Sequence, residues 1–483
     1  MRNARSRPSF IRQWGWLEVF VLSQSFFPAL LFVPGVSSLR IVTRVAAFLI
    51  APAFWGLIYF YSVHRRGGEN FPAKPYLIGI SLWLGLCLIH PETNWPIAGI
   101  AEVGLYISIF SPIFWVGWTL QSTQQIRRLM AILFICNGFS SALGVAQVFR
   151  PETFNPPVIP ALSTEFGRLA HMYKVDDGRE ILRPCGLGDT PGQASGAGAM
   201  ACLIGLAWVL RPIAWWKRLA SLGLAFIGIA VIYYSQVRAY LVVLVLCLII
   251  LTCMYILQRK IAKATLLVSG SIALFAAAML WVSQSLGSSV LTRFTTLWTD
   301  DPVKLYNGAR GGFVAAALQE TIWSDPLGLG LGRFGQIYDY FGNRAYAPLW
   351  VEVQIAAWAV DGGIPLLAGY TIAIALAMFD TIRVALTTKD PELADWAAVV
   401  VAANTSIVAM TFSMPVFLAP IGLQFWLLAA VIHVGDNRVK AAHEARRRAA
   451  MRAHRQVMEE QRAAVARATN PAEPQPNVGG VVT

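Results

Sequence analysis

Apolar runs of nearly 20 residues recur along the whole chain, and they constrain its fold more than any other feature. An α-helix of that length crosses a hydrocarbon core of about 30 Å. We find twelve such runs, with approximate bounds 16–35, 42–62, 76–90, 96–120, 129–148, 192–210, 219–236, 239–257, 264–283, 354–379, 396–413 and 416–435. The sequence therefore predicts an all-α, polytopic membrane protein with about 12 transmembrane helices.

The amino-acid composition agrees with this fold class. Hydrophobic residues make up 56% of the 483-residue chain, and charged residues make up only 13%. A soluble protein of this size would carry about 25% charged residues. The composition therefore excludes an ordinary soluble enzyme.

The distribution of basic residues predicts how the chain is oriented. Short cytoplasmic loops retain Lys and Arg. With a cytoplasmic N-terminus, two thirds of the 39 Lys and Arg residues fall in cytoplasmic segments, and most of the others lie in two long loops, 149–191 and 284–353. We expect both termini to be cytoplasmic and both long loops to face outward, with short helices in the second loop.

The segment 436–483 differs in composition from the membrane domain, 1–435. It begins as a basic, Ala-rich helical stretch and ends in a Pro-rich stretch with the composition of a disordered tail. A solvated helix near anionic lipid headgroups is favoured over a nucleic-acid-binding role. Membrane lipids are therefore expected partners, and nucleic acids are not.

The cysteine and histidine positions do not indicate a metal or disulfide site. Five of the six cysteines lie in predicted spans, which leaves Cys185 alone in an outward loop. Only His90 and His171 are expected on the outer side, too few and too scattered for a zinc site. No metal or other cofactor is predicted.

The stretch PLGLGLGRFG, 326–335, is called here the Gly-rich turn. Its Gly330, Gly332 and Gly335 have the G-x-G-x-x-G spacing of a dinucleotide-binding motif. That motif binds a pyrophosphate only where a buried strand leads into it and a helix leads out. The preceding residues, 306–325, have helical spacing instead. A nucleotide site is therefore excluded, and the stretch is interpreted as a turn that ends an external helix.

The residues around this turn resemble the O-antigen ligase and polymerase family. In that pattern an Arg opens a helix, a Trp follows about a dozen residues later, and Asp-Pro-Leu-Gly-x-Gly-x-Gly-x-Phe comes next; Arg310, Trp323 and DPLGLGLGRF match it. Three other segments are similar to family elements in the same order, namely RPCGLGDTPGQASG at 183–196, SQVR at 235–238 and VEVQIAAWAVDGGIPLL at 351–367. The resemblance covers about residues 180–380.

One position departs from the ligase pattern. Ligases of this family carry a His about nine residues before a Glu-x-Gly element, which Asp361 and Gly363 match here. Glu352 occupies the position of that His. Because polymerases and other members vary at this position, polymerisation is slightly preferred to ligation onto a lipid or protein acceptor.

The resemblance implies an inner-membrane glycosyltransferase that acts in bacterial surface polysaccharide or exopolysaccharide synthesis. It would transfer a glycan from a polyprenyl pyrophosphate to an acceptor hydroxyl on the outer face of the cytoplasmic membrane, without a metal. Its main task would be to neutralise the leaving pyrophosphate and to orient the acceptor. The implied partners are the lipid-linked glycan donor, a glycan or lipid acceptor, and polysaccharide export or chain-length proteins.

Three arginines suit the binding of a pyrophosphate, because a guanidinium binds phosphate oxygens bidentately and is always charged. Arg238, between two spans, and Arg310, at the expected start of an external helix, are the predicted catalytic arginines. Arg183 is expected to bind substrate. Alternatively, Arg238 reaches to the membrane interface, Arg310 is an ordinary surface residue, and Arg183 braces its loop.

Other residues complete the predicted site. Glu352 lies where the chain re-enters the membrane, and it would act either as a base toward an acceptor hydroxyl or as an ion-pair partner of an arginine. Trp323 and Trp350 are expected to stack on sugars, with anchoring at the membrane interface as the alternative. His171 is expected near the substrate, or it is an incidental surface residue.

A protein of another class, a secondary transporter of an anionic solute, is the alternative. Transporters favour internal repeats with broken helices near the membrane midplane, and no repeat is found here. Glu18 and Glu102 lie in predicted spans, where they are functional candidates or reach the headgroups from span ends. Asp361 is interpreted as a polar contact between packed helices.

Overall fold

The computed structural model of the protein describes residues 15–33, 35–36, 40–62, 70–156, 171–174, 178, 180–188, 190–287, 294, 299 and 301–469. This part of the chain is mostly helical and contains one short β-hairpin. The Pro-rich end that was expected to be disordered, 470–483, lies outside the described residues.

The helices before the second long loop are α1 Trp16–Phe26, α2 Arg40–Ser62, α3 Lys74–Cys87, α4 Pro96–Phe110, α5 Pro112–Thr119, α6 Thr123–Phe149, α7 Pro151–Phe154, α8 Pro191–Val209, α9 Trp215–Ser235, α10 Arg238–Leu257 and α11 Ile261–Leu286. The helices from residue 335 onward are α12 Gly335–Phe341, α13 Gln354–Thr387, α14 Pro391–Ala409 and α15 Pro420–Thr469. Short 3-10 helices are Phe27–Phe32, Met410–Phe412 and Val416–Leu418. The antiparallel hairpin pairs β1 Met172–Lys174 with β2 Glu180–Leu182.

Eight helical segments of the described chain are long and apolar enough to cross a membrane, as a polytopic membrane protein requires. They are Pro96–Thr119, Thr123–Phe149, Pro191–Val209, Trp215–Ser235, Arg238–Leu257, Ile261–Ser285, Gln354–Thr387 and Pro391–Phe412. Three shorter apolar helices are Trp16–Phe32, Phe48–Phe60 and Lys74–Cys87.

The expected twelve full-length spans are therefore not all present in the described residues. In the predicted span 16–35, α1 gives way to a 3-10 segment that contains Pro28, which has no N–H to donate to an α-helix. In the predicted span 76–90, α3 is only 14 residues long and ends at Cys87. These two apolar runs therefore do not form full-length membrane-spanning helices.

The two ends of the helix bundle differ. One end, called here the loop end, carries the connections before α4, α8, α10, α13 and α15, and contacts tie these connections together. The Asn94 amide donates to the Leu331 carbonyl at 3.0 Å, and the Tyr306 hydroxyl donates to the Phe412 carbonyl at 3.0 Å. The second long loop therefore contacts the connections before α4 and α15.

The opposite end has short connections joined by ion pairs. Arg211 lies 3.0 Å from Glu392, while Lys260 and Lys263 lie 2.6 Å and 2.7 Å from the two oxygens of Asp395. These pairs link the start of α14 to the turns after α8 and α10. They fix the bundle at the end remote from the loops.

The second long loop contains a continuous helical run, 302–324, called here the loop helix. Its consecutive segments are Pro302–Tyr306 (α), Asn307–Gly311 (π), Gly312–Ala316 (α), Ala317–Thr321 (π) and Ile322–Ser324 (α). The Asp301 carboxylate caps its N-terminus, and Pro302 takes the first helical position. The expectation that Arg310 opens the helix is therefore wrong, since the helix begins about two turns earlier.

The Gly-rich turn packs against a break in α13 at Gly362–Gly363, where the backbone leaves helical geometry. The Leu329 amide donates to the Val360 carbonyl at 2.6 Å, and the Ile364 amide donates to the Pro326 carbonyl at 2.9 Å. The second glycine of the break has φ +61°, and a Cβ there would stand 2.1 Å from the Pro326 oxygen. The turn therefore supplies hydrogen-bond partners to the broken helix.

The other side of the Gly-rich turn packs on the connection between α3 and α4. The Leu331 amide donates to Thr93 Oγ1 at 3.2 Å. Gly330 has φ +85°, and a Cβ there would meet the Glu92 and Thr93 backbone at 2.5 Å. The G-x-G-x-x-G spacing thus serves close backbone packing, and its interpretation as a turn that follows a helix is confirmed.

The chain divides into two compact units, Met1–Asp436 and Asn437–Thr483. The described part of the second unit, taken by itself, is helical to Thr469, and its side chains from 440 to 465 are exposed.

Candidate functional site

The structure brings Arg310 and Glu352 together. Glu352 Oε2 forms an ion pair with the Arg310 guanidinium, and Glu352 Oε1 accepts the indole N–H of Trp350 at 2.8 Å. The two charged side chains are 37% and 27% exposed, so an external anion can reach the pair. Of the two predicted roles of Glu352, the ion pair is the one that this geometry displays.

The position of Arg310 in the loop helix is unusual. It lies in the π-helical segment Asn307–Gly311, and π-helical turns often occur at functional sites. Burial lowers the pKa of the Arg310 guanidinium, because desolvation disfavours a charged form. The group stays protonated, but its partly dry setting strengthens its attraction for an anion.

Apolar packing holds the two halves of this pair in place. The loop helix contributes Ala317 and Phe313 to a small core with the start of α13. Its other members include Val353, Ile355, Ala356 and Ala359. Because Val353 directly follows Glu352 and is fully buried, the carboxylate has little freedom to move away from Arg310.

The two predicted sugar-binding tryptophans are exposed at the loop end. Trp350 is 66% exposed and Trp323 is 72% exposed. The Trp323 indole donates to the Leu318 carbonyl at 3.1 Å, which fixes the orientation of the ring. Trp350 adjoins the ion pair through Glu352, so its ring is the nearer one to the charged groups.

Arg183 and His171 belong to one hairpin. The Arg183 amide donates to the His171 carbonyl at 2.7 Å, beyond the paired strands β1 and β2. Burial raises the pKa of the Tyr173 hydroxyl above its usual range; nearby Tyr234 adds to this rise and Arg183 opposes it. The Arg183 charge therefore lies close to Tyr173 of the hairpin.

The segment after Arg183 is anchored to α6. Gln147 Oε1 accepts the Cys185 and Gly186 amides at 3.0 Å and 2.9 Å, and its Nε2 donates to the Gly186 carbonyl at 2.9 Å. Ser140 Oγ accepts the Leu187 amide at 3.1 Å. These buried hydrogen bonds give Arg183 a fixed backbone.

Arg238 is the first residue of α10, after a tight turn from α9. Gln236 in this turn has φ 54°, a left-handed conformation that is uncommon for a residue with a side chain. Ser235 Oγ, at the end of α9, lies 2.6 Å from Ser195 Oγ of α8. The turn is therefore fixed to a third helix, and Arg238 lies half-buried at the loop end.

Glu18 does not reach toward headgroups, which was one of its two expected roles. It is 1% exposed, and its carboxylate accepts the Gly15 amide at 3.0 Å at the start of α1. A carboxylate in the first helical turn satisfies an amide that has no partner within the helix.

Glu102 and Asp361 are buried at the Gly-rich turn. Glu102 is 1% exposed and accepts the Gly332 amide at 2.5 Å, so the headgroup expectation is wrong for this residue too. Asp361 is fully buried and accepts the Tyr106 hydroxyl at 2.6 Å. The interpretation of Asp361 as a contact between packed helices is confirmed.

Several structural residues could not be found from the sequence. Arg333, within the Gly-rich turn, bonds to both the carboxylate and the carbonyl of Glu92 at 3.1 Å and 3.0 Å. Gln147 has no motif around it. Across the described residues, no group of three or more His, Cys, Asp or Glu could hold a metal ion.

Neither a model of a known protein family nor a curated protein sequence matches the chain. The function is therefore argued from the residues of the site.

Proposed function

We propose that the protein is a metal-independent glycan transferase of the O-antigen ligase and polymerase type, with polymerisation preferred. It takes a glycan from a polyprenyl pyrophosphate and joins it to an acceptor hydroxyl on the outer face of the bacterial inner membrane. The grouping of Arg310, Glu352 and Trp350 at the loop end carries this proposal. Arg183 and Arg238 lie at the same end of the bundle.

The chemistry needs a positive site rather than a strong base. The acceptor oxygen bonds to the anomeric carbon of the sugar while the bond from that carbon to the pyrophosphate oxygen breaks. Negative charge grows on the pyrophosphate, and arginine forks stabilise it. Glu352 holds the Arg310 fork in place, and the proton of the acceptor hydroxyl passes either to Glu352 or to solvent.

The exposed rings suit a carbohydrate. Sugars bind on aromatic faces, and Trp350 presents its ring beside the charged pair. A donor glycan that stacks there would place its pyrophosphate end near Arg310. The aromatic ring would then orient the sugar while the guanidinium neutralises the leaving group.

Deletion of the gene tests the proposal and separates its two forms. If the protein is a polymerase, we expect long surface polysaccharide chains to be lost, single repeat units to remain attached, and lipid-linked units to accumulate. Long chains that accumulate unattached would indicate a ligase instead. Unchanged polysaccharide and unchanged lipid-linked intermediates would contradict both.

A secondary transporter of an anionic solute is the second candidate, and one observation favours it. α13 is broken at Gly362–Gly363 beside the buried Asp361, and transporters use broken helices with buried ionisable groups. Against it, the backbone at the break already bonds to the Gly-rich turn. Uptake of an anion by proteoliposomes that contain the purified protein would support the transporter.

A further inference from the structure

Two buried carboxyl groups meet where the Gly-rich turn contacts the helices. Glu102 of α4 and Asp361 of α13 are 1% and 0% exposed, and their carboxyl groups lie close enough for a hydrogen bond between them. Each also accepts one ordinary bond, from the Gly332 amide and the Tyr106 hydroxyl respectively. Asp361 Oδ1 receives no N–H or O–H donor from any described residue.

A hydrogen bond between two carboxyl groups requires a proton, because an ionised carboxylate can only accept. Two ionised carboxylates in contact would also repel each other strongly in a setting of low dielectric constant. The titratable groups that face the pair are Tyr106 and Cys87, with Tyr370 next to Tyr106, and none of them carries positive charge. Nothing in the described surroundings therefore compensates a second negative charge.

We propose that Glu102 and Asp361 form a proton-binding site that holds one proton between them in the folded protein. The proton supplies the donor that Asp361 Oδ1 lacks and reduces the charge of the pair to −1. This inference concerns the place where the Gly-rich turn packs on α4 and α13, and it does not rest on the proposed function.

The shared proton joins two elements that the fold must keep together. Glu102 holds the Gly332 amide of the Gly-rich turn, and Asp361 directly precedes the break in α13. Loss of the proton would place two negative charges between α4 and α13. The site therefore stabilises the packing of the second long loop on the bundle.

Infrared spectroscopy tests the proposal directly, since a protonated carboxylic acid has a carbonyl stretching band that an ionised carboxylate lacks. We expect such a band in the protein in an ester-free detergent near neutral pH, and its loss in both Glu102→Gln and Asp361→Asn. Each amide supplies an N–H donor where the proton was, so the fold should persist. Asp395→Asn is the matched control, because Lys260 and Lys263 keep that buried carboxylate ionised, and it should leave the band unchanged.

The pH dependence of stability gives a second readout. Above about pH 5 an unfolded chain has both carboxyl groups ionised, whereas the folded pair keeps one proton. Folding then takes up a proton, so the folding equilibrium constant falls about tenfold for each unit that the pH rises, until the pair loses its proton. Glu102→Gln removes this contribution. The folding equilibrium constant of this variant, relative to that of the wild type, should therefore rise by up to about tenfold for each pH unit.

Clear results would overturn the proposal. A band that survives in both amide variants would come from another group, and parallel pH profiles for wild type and variants would show that no proton is held. An absent band together with sodium-dependent stability would assign the pair to a metal cation instead. If both amide variants misfold, Tyr106→Phe should still shift the band, because it removes the hydroxyl donated to Asp361; an unmoved band would count against the site.

Discussion

Arg238 and Arg310 are half-buried at the loop end, whereas Arg344 of the same end is exposed. Substitution by Lys keeps the charge but removes the planar fork. Charge-assisted hydrogen bonds contribute about 1.5–3 kcal/mol each, so loss of one that strengthens in the transition state predicts roughly a tenfold to hundredfold lower rate. We expect this loss for Arg238→Lys and Arg310→Lys, measured as polymer formed from lipid-linked donor.

The control for these arginines is Arg344→Lys, which should change the rate little. Membrane insertion and the amount of folded protein must be equal across the set. Equal and mild losses at all three positions would show that the arginines provide only a diffuse positive field.

Glu352 separates a positioning role from a role as base. If the carboxylate only holds Arg310, Glu352→Gln should lower the rate moderately, about tenfold, by the same factor at every pH, because the amide still accepts a hydrogen bond. If it takes the acceptor proton, the wild-type rate should rise with pH as the carboxylate ionises, and Glu352→Gln should lose that rise. Rate against pH for the two proteins decides between these outcomes.

The chemical roles of single residues could be predicted from the sequence better than the contacts between residues. The motif around the Gly-rich turn indicated Arg310 and Glu352, but only the fold brings their side chains together. The two residues stand in different elements, and neither residue type specifies its partner. Likewise, the sequence placed Glu102 in a predicted span but gave no sign that Gly332 and Asp361 lie next to it.

Two glycines of the Gly-rich turn differ in how closely neighbouring atoms approach them. Gly330 has φ +85°, and a Cβ added to it would lie 2.5 Å from neighbouring backbone atoms, while Gly335 has φ +62° and open space around it. Gly335→Ala should cost only the left-handed strain, about 1–2 kcal/mol. Gly330→Ala must also displace the turn from the connection before α4, so we expect a loss of more than about 4 kcal/mol.

Thermal unfolding in detergent or nanodiscs measures this difference between the two glycine variants. A much larger fall in melting temperature for Gly330→Ala is the expected result. Similar falls for both would mean that the turn is not held by close packing on its neighbours.

Elements with a strong local signal are those that the sequence predicts well. The long apolar helices and the turn after the loop helix follow from composition and glycine spacing. The Asp301–Pro302 cap is also a local signal, and it marks the start of the loop helix where the motif arginine does not. The break in α13 is not predicted, because the Gly362–Gly363 pair weakens a helix without fixing its geometry, and the turn that packs on the pair supplies the distortion.

For the whole molecule, the clearest prediction concerns which end faces outward. The loop end carries Ala345 and the opposite end carries Lys389, and neither side chain is buried. In a background with Cys253→Ser, since Cys253 is an exposed cysteine, Ala345→Cys should react with a membrane-impermeant thiol reagent on intact cells. Lys389→Cys should react only after the cells are opened, and the reverse pattern would invert the proposed orientation.

The two π-helical segments of the loop helix have a consequence for how this protein tolerates change in its length. A π turn holds about one residue more than an α turn, so each segment resembles a single insertion that the helix has absorbed. Deletion of one residue within Asn307–Gly311 would restore α geometry and change the directions of the side chains inside that segment, while the parts of the helix on either side keep their relative orientation. The direction of Arg310 toward Glu352 therefore depends on the number of residues in that segment as well as on their identity, and homologous chains that keep both charges should conserve its spacing.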